Sequence, residues 1–190
     1  ASIQDGEPLA VRRQKLEARV ARRVPAGDRA RVAEFLGELI GTPFPDEASV
    51  QLRAARRDPK LMGDQMRRAW IDLCAAESAA GPLVLLIDDV HWGDSPSLDL
   101  LAAALRSLSG APILLLGFAR PEALERLPKL WMDLGAERVQ LAELLKKNRE
   151  RLVRRVLGDA TPARTVERIV ELSQGNALYL EELIRAVAEG

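Results

Sequence analysis

Cysteine and histidine occur once each in the 190 residues, as Cys74 and His91. That excludes an intrachain disulfide, a cysteine-rich zinc site and any paired-histidine metal motif. Such sparing use of cysteine fits a reducing compartment, and a cytoplasmic location is expected. Aromatic residues make up only 4%, too few to suggest a base-stacking platform. Neither sign of charge prevails, since 28 Lys and Arg meet 28 Asp and Glu. A neutral chain gives no electrostatic reason to expect nucleic acid or an anionic membrane as partner. No apolar run nears the ~20 residues of a membrane span. The opening "ASIQDGEPLA" lacks the basic start and apolar middle of a secretion signal. An initiating Met is missing too, so the chain is expected to be a piece of something longer.

What is present is a globular balance, 47% hydrophobic and 29% charged residues. Residues 1–81 read as helices alone. "EPLAVRRQKLEARVARRV" spaces Leu9, Val11, Leu16 and Val20 near the helical repeat. "GDRARVAEFLGELIG" offers Asp28 as a cap, an inward stripe of Val32, Phe35, Leu36, Leu39 and Ile40, and Gly41 as a stop. "GTPFPDEAS" reads as a loop from its two prolines. "PKLMGDQMRRAWIDLCAAESAAG" places Leu61, Met62, Met66, Trp70, Leu73 and Cys74 inward. The dense arginines are expected to be solvated faces balanced by acids.

From Pro82 the pattern changes. "LVLLID" is a continuous apolar run of strand length, the pattern of a strand buried on both faces. "SPSLDLLAAALRSLS" follows as a helix, with Ser95 as its cap and Pro96 in its first turn. "ILLLGFA" is a second such strand, so the two should be parallel. "PKLWMDLG" reads as helical or irregular, with Trp131 and Met132 packing in a core, and "ERVQLA" as a further short strand. Three helices end the chain: "ELLKKNRERLVRRVLGD", "PARTVERIVELSQG", and "NALYLEELIRAVAEG" capped by Asn176.

The first strand ends in "DDVHWGD". Ligands of open parallel sheets gather outside the carboxyl ends of the strands. Asp88, Asp89, His91, Trp92 and Asp94 lie at one such end, and Arg120 at the next. An apolar strand closing on an acid is the pattern that organises hydrated magnesium on nucleotide phosphates. A second acid can polarise water, and a neighbouring arginine can read a terminal phosphate. Alone, each element is bland: His91 as a loop histidine, Trp92 as a core or rim anchor, Glu181 and Glu182 as a solvated helix face.

Taken together, "LVLLIDDVHWGDSPSLDLLAAAL" resembles the Walker B segment of the AAA-related STAND ATPases, signalling ATPases of bacteria. These adjoin protein kinases, adenylyl cyclases or LuxR-type regulators. "PILLLGFARPE" is similar to their following strand, and "GNALYLEELIRAV" to the "GNPLFLEEL" start of their helical lid. The resemblance implies an α/β fold: a partial P-loop NTPase core of three layers (α/β/α) with parallel strands and a C-terminal helical lid. It implies domains at 1–81 (helical), 82–142 (core with Walker B and sensor-1 strands) and 143–190 (lid). By the same likeness Asp88 would hold Mg2+ through water and Asp89 would take the catalytic acid's place. His91, Trp92 and Asp94 would shape the loop under the γ-phosphate of ATP, and Arg120 would be the sensor. Gly175 and Asn176 would start the lid helix against the base, with Ala177 where the family usually has proline.

One element is missing. No "GxxxxGK[ST]" occurs, and none of the five lysines (15, 60, 129, 146 and 147) sits in that setting. The expectation is that the chain begins downstream of this phosphate cradle. In the family's sheet, "ERVQLA" would then lose its neighbour and "ILLLGFA" would present an open apolar edge, a site for self-association. The reading is the C-terminal part of an ATP-dependent signalling switch acting on protein effector domains. The alternative is a nucleotide-independent interaction or scaffold module in which the acids are vestigial.

Overall fold

A computed structural model describes residues 3–4, 6–121 and 135–189. Trp131 and Met132, expected in a core, lie outside these described residues. The chain forms two compact units, Ala1–Ala136 and Glu137–Gly190.

Among the described residues of the first unit, four helices supply its main hydrophobic cluster. Helix α1 (Leu9–Ala21) buries Leu16 and Val20, one helical turn apart. Leu9 and Val11, in its first turn, stay exposed. Helix α2 (Arg29–Leu39) buries Val32, Phe35 and Leu36. Asp28 precedes it as expected but makes no capping bond; its carboxylate accepts from Arg31 at 3.0 Å instead. The helix stops at Leu39, and Gly41 turns the chain at φ +64°, which leaves Ile40 exposed. Helix α3 (Val50–Ala55) is not foreseen from the proline-rich loop before it. Ser49 caps it, accepting the Leu52 N–H at 3.3 Å, so that Leu52 and Ala55 enter the core. Helix α4 (Pro59–Ala80) starts with Asp58 accepting the N–H groups of Lys60 and Leu61 at 2.9 and 3.2 Å and with Pro59 in its first turn. Leu61, Met62, Trp70 and Leu73 pack against the core from this helix. The arginines are balanced by acids, Arg31 by Asp28 and Asp72, Arg56 by Glu38 and Asp46.

Cys74 lies buried in α4. Burial, and then the Glu77 carboxylate nearby, push its thiol up to about 11. Folded stability therefore keeps this contribution below the unfolded thiol's value near 9 and loses it as pH climbs towards 11. At pH 8 iodoacetamide should label Cys74 only as fast as the unit unfolds. Rapid labelling of the native chain, unchanged by stabilising osmolytes, would contradict this.

Strand β1 (Leu83–Ile87), helix α5 (Ser95–Ser107) and strand β2 (Ile113–Gly117) form the expected βαβ unit. The strands are parallel, in register from Leu83 opposite Ile113 to Ile87 opposite Gly117. The cap of α5 is Asp94 rather than Ser95, its carboxylate accepting the Ser97 N–H at 2.7 Å. Leu98 and Ala102 are buried on its inner face.

Burial on both strand faces is not what the structure shows. Leu83, Leu85, Ile87, Ile113 and Leu115 are half-buried, while Val84, Leu86, Leu114 and Leu116 are 42–61% exposed. Successive side chains of a strand point to opposite faces, so this alternation means one covered face and one open one. Among the described residues the sheet has helix cover on one face only, and the parallel βαβ unit agrees with a partial α/β core. "ERVQLA" is also not a strand: residues 137–142 are irregular and exposed. Among the described residues β2 pairs only with β1, and a strand without a neighbour cannot satisfy its backbone.

The second unit packs three helices: α6 (Lys146–Leu157), α7 (Ala163–Ser173) and α8 (Ala177–Glu189). Val153, Val166, Ile169, Val170, Leu180 and Ile184 form its core. Gly158 at φ +94° ends α6, and Pro162 stands at the cap of α7.

Candidate functional site

The two aspartates are displaced from the ladder by their neighbours. The Phe118 N–H donates to the Ile87 carbonyl at 2.9 Å, and the Val90 N–H donates to the Phe118 carbonyl at 2.9 Å. Both polar groups of Phe118 are thus satisfied on either side of Asp88–Asp89, and the acids are looped out between those bonds. Asp89 takes the left-handed conformation, φ 52°, to allow it. Aspartate tolerates that region better than most residues. Its N–H is met by the Asp88 carboxylate at 3.0 Å. Val90 then returns to the interior and starts a single 3-10 turn, Val90–Trp92. Phe118 was not singled out from sequence, since it acts through its backbone.

The loop gathers most of the expected residues. Asp88 and Asp89 are both exposed to solvent at the strand end. His91 is 8% exposed, and its Nε2 lies 3.7 Å from an Asp89 carboxylate oxygen. Trp92 is no core anchor: it is 75% exposed, with its ring centroid 5.3 Å from that of His91. Asp94 uses one carboxylate oxygen to cap α5, which fixes where the loop ends. Arg120 lies two residues beyond Phe118 and is exposed. No hydrogen bond or ion pair joins its side chain to Asp88 or Asp89 among the described residues.

Gly175 and Asn176 belong to the second unit. Asn176 caps α8, its side-chain oxygen accepting the Tyr179 N–H at 3.0 Å. Gly175 has φ +86°, and a Cβ there would stand 2.7 Å from that of Glu143. Its carbonyl accepts the Leu144 N–H at 2.9 Å. Both the angle and the close approach demand glycine. Gly175→Ala should therefore cost about 1–3 kcal/mol of stability, measured by urea unfolding; a change under ~0.5 kcal/mol would show that the turn relaxes freely.

A parallel strand–helix–strand unit with an acid pair at the first strand's carboxyl end is consistent with a partial α/β fold of the P-loop kind. The family model for the AAA ATPase domain matches residues 2–116. The chain belongs to that family, whose members bind nucleotide. It is also 31% identical over 146 residues to "Uncharacterized protein R02095" of Rhizobium meliloti (strain 1021). That match takes in 71% of this chain and only 13% of the relative, so the chain spans a small part of that protein's length. No solved structure matches. No described helix is long and apolar enough to cross a membrane.

Proposed function

We propose that the chain is the Walker B and lid portion of a STAND-type ATPase, an ATP-driven signalling switch. The observation that carries this reading is the loop held by Phe118, which presents two adjacent carboxylates to solvent beyond a parallel strand. Magnesium in phosphate sites takes one or two carboxylates and fills its remaining positions with water and phosphate oxygens. Asp88 suits that role, being exposed with one oxygen left beyond the bond to the Asp89 N–H. Among the described residues no group of three His, Cys, Asp or Glu is placed to hold an ion; water and nucleotide phosphates would fill the remaining positions. The ion would neutralise phosphate charge.

Asp89 acts as the acid that orients and polarises the attacking water. His91, behind it, limits the positions its carboxylate can take. Trp92 and Asp94 shape the loop, and Arg120 at the neighbouring strand end reads the terminal phosphate. Gly175 and Asn176 start the lid helix. Domains at 1–81, 82–142 and 143–190 serve this scheme as helical support, core and lid. The change between nucleotide states passes to an attached kinase, cyclase or transcription-regulator domain.

The reading requires a phosphate cradle from outside these 190 residues. The test is the coding sequence upstream of Ala1: a "GxxxxGK[ST]" within one strand and turn supports the reading, and its absence sinks it. The second reading, a nucleotide-independent interaction module, is favoured by one observation, the lack of that motif in all 190 residues. It predicts effector binding indifferent to ATP and to substitution of Asp88 and Asp89.

A further inference from the structure

Each helix of the second unit turns one face to the shared core, and at the edge of that core Leu172 of α7 and Val187 of α8 stay exposed. Ile169 and Leu172 on α7 and Leu183 and Val187 on α8 line a groove of about 350 Å³ between the two helices. Leu172 and Val187 are 38% and 47% exposed. Tyr179, one turn before Leu183 on α8 and 52% exposed, continues the row. The spacing on both walls is helical, and ridges at such spacing accept another helix.

Among the residues that line the groove the charge has one sign, although Glu167 and Glu171 stand on the same helix, each three residues from one of its arginines. Arg164 and Arg168, one turn apart on α7, are its charged lining residues. Neither side chain makes a hydrogen bond or ion pair among the described residues. The nearby acids of α8 are already engaged, Glu181 and Glu182 both pairing with Arg185 at 3.1 Å. Two arginines one turn apart match two carboxylates one turn apart on a facing helix, since positions i and i+4 share a face.

We propose that this groove binds an acidic amphipathic helix of a separate polypeptide, its leucines seated between α7 and α8 and its carboxylates on Arg164 and Arg168. This surface lies within one unit, and the proposal does not rest on the nucleotide reading. A strand would not fit as well, because the walls offer no open backbone edge.

The test uses the whole 190-residue chain and two synthetic peptides long enough to be helical, about 16 residues. Both carry leucines at i, i+3, i+4 and i+7; one has glutamates flanking them, the other lysines. The glutamate peptide should bind and shift the amide signals of Arg164–Leu172 and Leu183–Val187. The lysine peptide should bind at least about tenfold more weakly. In the Arg164→Glu, Arg168→Glu chain the preference should reverse, with helix content unchanged. Binding of neither peptide, equal binding of both, a preference untouched by the charge reversal, or signals moving elsewhere would each overturn the proposal.

Discussion

Phe35→Ala should lower the unfolding free energy of the first unit by about 3–5 kcal/mol, the usual cost of emptying a phenylalanine site in a packed core. Phe35 is fully buried in α2. Its cluster draws Leu16 and Val20 from α1, Leu36 from α2, Leu52 from α3 and Ala69 from α4. None of the cluster's buried members comes from β1 or β2. The site is enclosed by helices on rigid caps, Ser49 and Asp58 among them, so collapse into the cavity should be partial. Domains are stable by only about 5–15 kcal/mol, and such a loss would leave a sizeable unfolded fraction at 37 °C. Urea unfolding followed by the fluorescence of Trp70, which packs against this cluster, measures it. Val50→Ala, in the same unit and at a side chain 77% exposed, is the comparison and should stay within about 0.5 kcal/mol. A loss under ~1 kcal/mol for Phe35 would mean that the core is not where the structure puts it.

The second large effect is functional. In a polypeptide that carries the proposed upstream phosphate loop, Asp89→Asn should lower ATP turnover about 10²–10⁴-fold, the range for a lost general base. Nucleotide affinity should change little, because amide and carboxylate are alike in shape and the backbone at φ 52° suits Asn as well as Asp. Asp88→Ala should behave differently, weakening MgATP binding itself. Equal losses of turnover and binding in both variants would show a merely structural loop. His91→Gln should fall between, as a residue that positions Asp89 from 3.7 Å away.

The βαβ unit was legible because each of its parts has a local cause. Gly81-Pro82 ends α4, Pro96 opens α5, and two five-residue apolar strands flank it. The acid pair at the strand end was legible as well, although its left-handed Asp89 was not. That angle follows from Phe118 bonding both Ile87 and Val90, a contact between segments about thirty residues apart.

Two misreadings share a cause. The alternation of Val139 and Leu141 with polar residues satisfies the strand pattern, yet both are exposed, at 77% and 82%. "LVLLI" likewise reads as doubly buried, yet Val84 and Leu86 face solvent. A strand's partners and the cover on its far face are tertiary facts, and local pattern cannot supply them. Helix α3 was a different failure. Its signal, Ser49 before Val50, was present but masked by the prolines at 43 and 45.

The claim at the centre of this account is that Asp88 and Asp89 form one half of a magnesium–nucleotide site. Calorimetric titration of MgATP into the 190-residue chain and into the upstream-extended polypeptide tests it most directly. The account predicts no saturable binding to the shorter chain, shown to be folded, and magnesium-dependent binding to the longer one that Asp88→Ala weakens. Equal binding to both, or binding to the longer one unaffected by Asp88→Ala, would contradict it.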